Sequence, residues 1–306
     1  MRTAVDSPYL VPFDGFFRVR EAPTTPPEDA PGRKGCKKAL ASRVALLDEL
    51  QHRMYASDRY GLLLVFQAMD AAGKDGAIRK VLTGVNPAGC QVYSFKAPSS
   101  EELDHDFLWR TTCRLPERGR IGVFNRSYYE EVLAVRVHPG FLERQKLPGT
   151  VDMDRVWDHR FESIREHERH LNRNGFLVLK FWLNVSRAEQ ARRLLARLDD
   201  PTRNWKFSSE DMAVREHWDS YMDAYEELLN ATSRPWAPWY AIPADDKGYA
   251  RMVIADIVVR TLERLPLQYP ELPAKERLLL DEMRAKLERE LARDGGRDDD
   301  EEEEKE

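Results

Sequence analysis

Residues 62–76, LLLVFQAMDAAGKDG, constrain the fold more than any other part of this 306-residue chain. An apolar run of strand length leads into Gly73-Lys74, and a helical period follows. That order aims backbone N–H groups, the positive end of a helix dipole and a lysine ammonium at one point, which makes a cradle for an anion. Against the phosphate-loop pattern GxxxxGK[ST], the first glycine position holds Ala68 and the hydroxyl position holds Asp75. Ala72, Gly73, Asp75 and Gly76 are the candidates to line the cradle around Lys74.

The rest of the chain repeats the alternation. Strands are expected at 62–66, 91–95, 121–124, 176–183 and 239–242. Helices are expected at 37–56, 75–84, 101–114, 127–135, 152–173, 187–198, 209–231, 247–264 and 274–293. Near-continuous Leu/Val/Ile runs between helical periods argue for an α/β fold, a parallel sheet flanked by helices on both faces. The proline-rich start implies an extended N-terminal arm over 1–36, followed by a catalytic domain over 37–270 and a C-terminal helix over 271–297. Residues 298–306 hold eight acids and one lysine, and a disordered acidic tail is expected there.

Removing that tail changes the formal charge from −5 to +2, so the body is slightly basic and suits a polyanionic ligand. Three cysteines without a CxxC pair indicate neither a disulfide framework nor a zinc site. The apolar runs are too short for a bilayer, and no charged-then-apolar leader opens the chain. A cytoplasmic protein with no membrane and no nucleic-acid partner is expected. The segment RLDDPTRNWKFS, 197–208, breaks two helices with proline and cations, a composition suited to a mobile lid at about 190–210. In REHERH, 165–170, His167 and His170 lie one turn apart, but without a third ligand they read as a solvated helix face. The tryptophans read as core or lid packing, with Trp205 a candidate for contact with a base.

Without a hydroxyl after Lys74, another oxygen must take a metal, and Asp70 and Asp75 are available. Two carboxylates in a phosphate-binding turn make sense if a cation bridges them to phosphate. The plainer alternatives are a turn residue for Asp70 and a helix cap for Asp75.

The loop QAMDAAGKDG resembles that of the second family of polyphosphate kinases. The likeness continues through FKAPSSEELDHDFLWR (95–110), GVFNRSYYEEVLAVRVHP (122–139), ARLDDPTRNWKFSSED (196–211) and PWYAIPADDKGYAR (238–251). It covers roughly 35–265 in the expected order. It implies a P-loop-kinase-like, thymidylate-kinase-like fold with a helical lid. It also implies transfer of a phosphoryl group between inorganic polyphosphate and a nucleotide, with Mg2+ as cofactor and Mn2+ as a substitute. Adenine nucleotides are the expected partners, with guanine as a further candidate, and the chain is expected to form a homo-oligomer.

Relatives commonly carry Asp where this chain has Asn125, and many have Asn where it has Glu130. The carboxylate has in effect moved, and this pairing resembles the branch that accepts both AMP and ADP. Asp70, Lys74, Asn125, Arg126 and Glu130 are therefore the catalytic candidates, with Asp70 as metal ligand. Planar guanidinium groups bind phosphate oxygens in pairs, which makes Arg126 and Arg136 candidates to offset the charge of the transferring group. Arg193, Arg197, Arg203 and Lys206 would close from the lid, and Arg79, Lys80 and Lys96 would line a polyphosphate channel. Two alternatives stay open: an ATP-dependent nucleoside monophosphate kinase, and a polyphosphate-sensing or nucleotide-binding module without catalysis.

Overall fold

All five expected strands form: β1 (Gly61–Gln67), β2 (Cys90–Ser94), β3 (Ile121–Asn125), β4 (Phe176–Asn184) and β5 (Trp239–Pro243). They make one parallel sheet in the order β2-β3-β1-β4-β5. The computed structural model describes the backbone of residues 3–202, 204–207 and 209–303. The side chains of 206, 209–211 and 294–303 fall outside the described residues. Arg203, the Lys206 side chain and the side chains of the acidic tail therefore lie beyond what is described here.

β1 is central because both faces and both edges of GLLLVFQ can be covered. Leu64 aligns with Val123 on one side and Leu179 on the other, and all seven residues of the strand are buried. Burying a leucine this way stabilises by about 1.5–3 kcal/mol. β2 differs from the expectation of full burial: at the sheet edge its Val92 is half exposed.

The helices are α1 (Arg33–Ser57), α2 (Lys74–Val81), α3 (Ser100–Leu103), α4 (Trp109–Thr112), α5 (Ala134–Val137), α6 (Val156–Arg173), α7 (Arg187–Leu198), α8 (Ser209–Glu216), α9 (Trp218–Thr232), α10 (Lys247–Leu262) and α11 (Ala274–Glu303). Three expected helices are corrected. The helix expected over 101–114 is the short pair α3 and α4, and the one over 127–135 is a 3-10 turn, Tyr128–Val132, leading into α5. The second change has a local cause: the Ser127 hydroxyl accepts from Tyr129 N over 3.2 Å, and two consecutive buried tyrosines turn inward. The helix expected over 209–231 is divided into α8 and α9 at His217.

In the segment before α1, residues 9–11 pair antiparallel with β5. Val11 N donates to Trp239 O over 2.9 Å and Ala241 N to Tyr9 O over 2.8 Å, while Val5 and Val11 are fully buried. Further along, Asn184 Nδ2 donates to the carbonyls of Ala22 and Pro23, and Asp245 N donates to Thr24 O. The chain divides into two units, Met1–Gln268 and Tyr269–Glu306. In the second unit α11 carries Leu280, Met283 and Leu287 exposed. No described helix is long and apolar enough to cross a membrane.

Candidate active site

The loop opens at the carboxyl end of the central strand, where the strand order reverses and open α/β sheets hold their ligands. Its turn needs left-handed backbone at Ala71 (φ +60°) and Gly73 (φ +107°), after which Lys74 starts α2. The Lys74 side chain folds back and donates to Ala68 O over 2.8 Å and Met69 O over 3.4 Å. Burial, then the nearby Arg126 guanidinium, lowers its pKa, against the pull of Asp70, Glu130 and Asp75.

Four of the five catalytic candidates meet around this lysine. Arg126 forms an ion pair with Asp70. Burial pushes the Asp70 carboxyl up, but Lys74, Arg126 and Arg197 outweigh it and hold the group below its ordinary value. Glu130 is the first cause of the raised Arg126 pKa, so it stands beside that guanidinium. The fifth candidate, Asn125, donates to Asp75 Oδ1 at the rim. Arg197 joins the centre through its field on Asp70.

Other candidates take different places. Arg193, expected to grip phosphate, is buried, and all its donors are engaged. Nε meets Glu189 Oε1, Nη1 meets the carbonyls of Ala72 and Ala71, and Nη2 meets those of Ala244 and Asp245. It clasps the loop from behind. Arg136 pairs with Glu227 of α9 and lies over the Trp157 ring, 5.4 Å from its centroid. Arg79 and Lys80, in the last turn of α2, and Lys96, after β2, are exposed. Gly76 faces α10: a Cβ there would stand 3.0 Å from an Arg251 guanidinium nitrogen.

Several residues of this centre went unnoticed in the sequence. Gln67, the last residue of β1, donates to Glu130 Oε1 over 2.9 Å. Gln190 of α7 donates to Asp70 O over 3.0 Å. Tyr221 and Tyr225, one turn apart on α9, feel Glu130 and Asp70. Burial and then those carboxylates push Tyr221 up to about 12, and Tyr225 shifts the same way. Their i, i+4 spacing in WDSYMDAYEE was the one available signal. The stretch 165–170 is corrected in part: Glu166, Arg169 and His170 are exposed as a solvated face requires, but Glu168 is fully buried and His167 packs edge-on against Tyr128, ring centroids 5.7 Å apart.

Asp70 and Glu130 are hard oxygen donors beside the lysine. The described residues hold no group of three or more His, Cys, Asp or Glu placed to bind a metal by themselves. A carboxylate or two, completed by phosphate oxygens and water, is how Mg2+ is usually held, so the donor set fits a divalent cation of that kind.

A parallel α/β sheet with this lysine, arginine and carboxylate constellation at the end of its central strand defines a P-loop-kinase-like phosphotransferase. More narrowly, the chain belongs to the polyphosphate kinase 2 family, whose model matches residues 32–269. It is 55% identical over 250 residues to the ADP-polyphosphate phosphotransferase of Rhodopseudomonas palustris, covering 81% of this chain and 86% of that one. Over 267 residues it is 42% identical to the AMP/ADP-polyphosphate phosphotransferase of Meiothermus ruber, covering 86% and 95%. In structure it is similar to polyphosphate kinase 2 from Arthrobacter aurescens, with a TM-score of 0.79, 38% identity, and 87% and 93% of the two chains covered.

Proposed function

We propose that the chain transfers a phosphoryl group reversibly from inorganic polyphosphate to ADP and AMP, with Mg2+ as the divalent cation and Mn2+ able to replace it. The observation that carries this reading is the meeting of Lys74, Arg126, Asp70 and Glu130 at the end of β1. In transfer, an anhydride P–O bond of polyphosphate breaks and a P–O bond to the terminal nucleotide phosphate forms. The accepting oxygen is already anionic at neutral pH, so no strong base is demanded, and the work left is alignment and charge neutralisation.

Lys74 and Arg126 hold the transferring group, and Arg126 exchanges its Asp70 partner for phosphate oxygens. Asp70 and Glu130, with Gln67 fixing Glu130, are the residues to hold the cation, which when bound screens repulsion between the two anionic substrates. Arg197 and the α7–α8 region close over the site and exclude water, which would otherwise accept the phosphoryl group. Arg203, Lys206 and Arg136 are proposed as further phosphate contacts, and Arg79, Lys80 and Lys96 as the channel lining. Guanine nucleotides as further acceptors, a cytoplasmic setting and a homo-oligomeric state complete the proposal.

The test is purified protein with ADP or AMP, Mg2+ and long-chain polyphosphate, without ATP. ATP formation from ADP, and ADP formation from AMP, are expected. Turnover only when ATP is supplied as donor would instead make the chain a nucleoside monophosphate kinase, and binding without turnover would make it a sensor.

A further inference from the structure

Lys180 lies in the middle of β4 and Glu168 on α6, neither with exposed surface, and neither belongs to the site just described. The ammonium has three donors, and each finds an acceptor: Glu168 Oε2 at 2.6 Å, Tyr129 Oη at 2.8 Å and Thr232 O at 2.9 Å. The other Glu168 oxygen accepts from the hydroxyls of Tyr128 and Tyr129, both at 2.9 Å. Trp239 of β5 completes the group. Its ring centroid is 5.3 Å from the ammonium, and its Nε1 donates to Thr232 Oγ1 over 2.9 Å.

Burying two charges costs several kcal/mol per ion, and apolar residues of like volume often stabilise a core as well or better. Stability is therefore a poor reason for this pair. What it does, and an apolar pair could not, is fix two hydroxyls in place. Tyr128 and Tyr129 lie between Arg126 and Glu130 in sequence. Arg126 has φ +63°, a left-handed conformation that costs a long side chain about 1–2 kcal/mol and persists only where the surroundings impose it. The two tyrosines turn inward to Glu168, and the two flanking charged residues turn outward to Asp70 and Gln67.

We infer that the Lys180–Glu168 pair is a positioning device for phosphoryl transfer, setting through the Tyr128 and Tyr129 hydroxyls where Arg126 and Glu130 stand. This rests on the reading of Arg126 and Glu130 as the groups that hold phosphate and cation.

The test compares the wild-type protein with Lys180→Met/Glu168→Leu, which removes the charges at similar volume. Each protein is melted, assayed with ADP, Mg2+ and polyphosphate, and followed by amide exchange across residues 125–133. A fall in kcat of about 10- to 100-fold is expected, the scale of an ångström-sized misplacement. With it, KM for both substrates should stay within about threefold, and exchange in that segment should be faster in a folded protein. A folded variant with wild-type kcat and wild-type exchange overturns the inference. Should the double variant not fold, Tyr128→Phe decides by the same readouts, because it removes one hydroxyl from Glu168 and leaves Lys180 all its acceptors. Absence of turnover in the wild type would count against the activity itself, while the exchange result still judges the positioning role.

Discussion

Asn125 donates its side-chain amide to Asp75 Oδ1 over 2.7 Å, joining the end of β3 to the first turn of α2 across the mouth of the loop. A carboxylate at 125 would face Asp75 as a like charge. Asn125→Asp should lower stability without added cation by roughly 1 kcal/mol, at the low end because Asp75 is exposed. Mg2+ should raise the melting temperature of the variant more than that of the wild type. Equal responses to Mg2+ would show that the cation does not approach this rim.

Lys74 holds its ammonium inside the loop, on the carbonyls of Ala68 and Met69. Lys74→Ala should cut kcat by about 10²–10³-fold, as for loss of one preorganised donor to a developing anion, with the circular dichroism of a folded protein. Retained turnover would move the reacting phosphate elsewhere.

Arg193 and Arg197 share a face of α7 but should separate by experiment. Arg193→Ala leaves the carbonyls of Ala72, Ala244 and Asp245 without this donor, and should destabilise by about 2–4 kcal/mol in a urea titration. Arg197→Ala should melt near the wild-type temperature while raising KM for polyphosphate. A stable Arg193→Ala protein would mean the clasp is dispensable.

Burial, opposed by Glu168, lowers the Lys180 pKa from 10.5 to about 8. Between about 8 and 10.5 the unfolded chain binds more protons at this residue than the folded one, so this group makes stability rise with pH there. Activity should move the other way, because loss of the proton weakens the hold on Tyr129. Measured from pH 7 to 10, kcat should fall past pH 8, and the pH slope of stability should be smaller in Lys180→Met/Glu168→Leu. A flat kcat across that range would separate Lys180 from the reaction.

The strands were legible because parallel-sheet burial demands uninterrupted apolar runs, and each boundary fell within about two residues. The loop was legible as Gly73-Lys74 after a strand, and the meeting of Asp70, Arg126 and Glu130 followed from the family likeness. What stayed hidden depends on partners far along the chain. Nothing in ARRLLAR tells which arginine turns inward to carbonyls 121 residues away at Ala72 and which faces Asp70. Likewise nothing in FLVLKFWLN marks what the lysine between Leu179 and Phe181 meets, because its counterion Glu168 sits on α6 and the Tyr129 hydroxyl comes from a third segment.

The antiparallel pairing of Tyr9, Leu10 and Val11 with β5 also has a practical side. That border of the sheet is covered at these three residues, so a protease that removed them would bare a row of peptide groups ready to recruit any passing strand. Such clipping would reveal itself as precipitation well before it reached the chemistry.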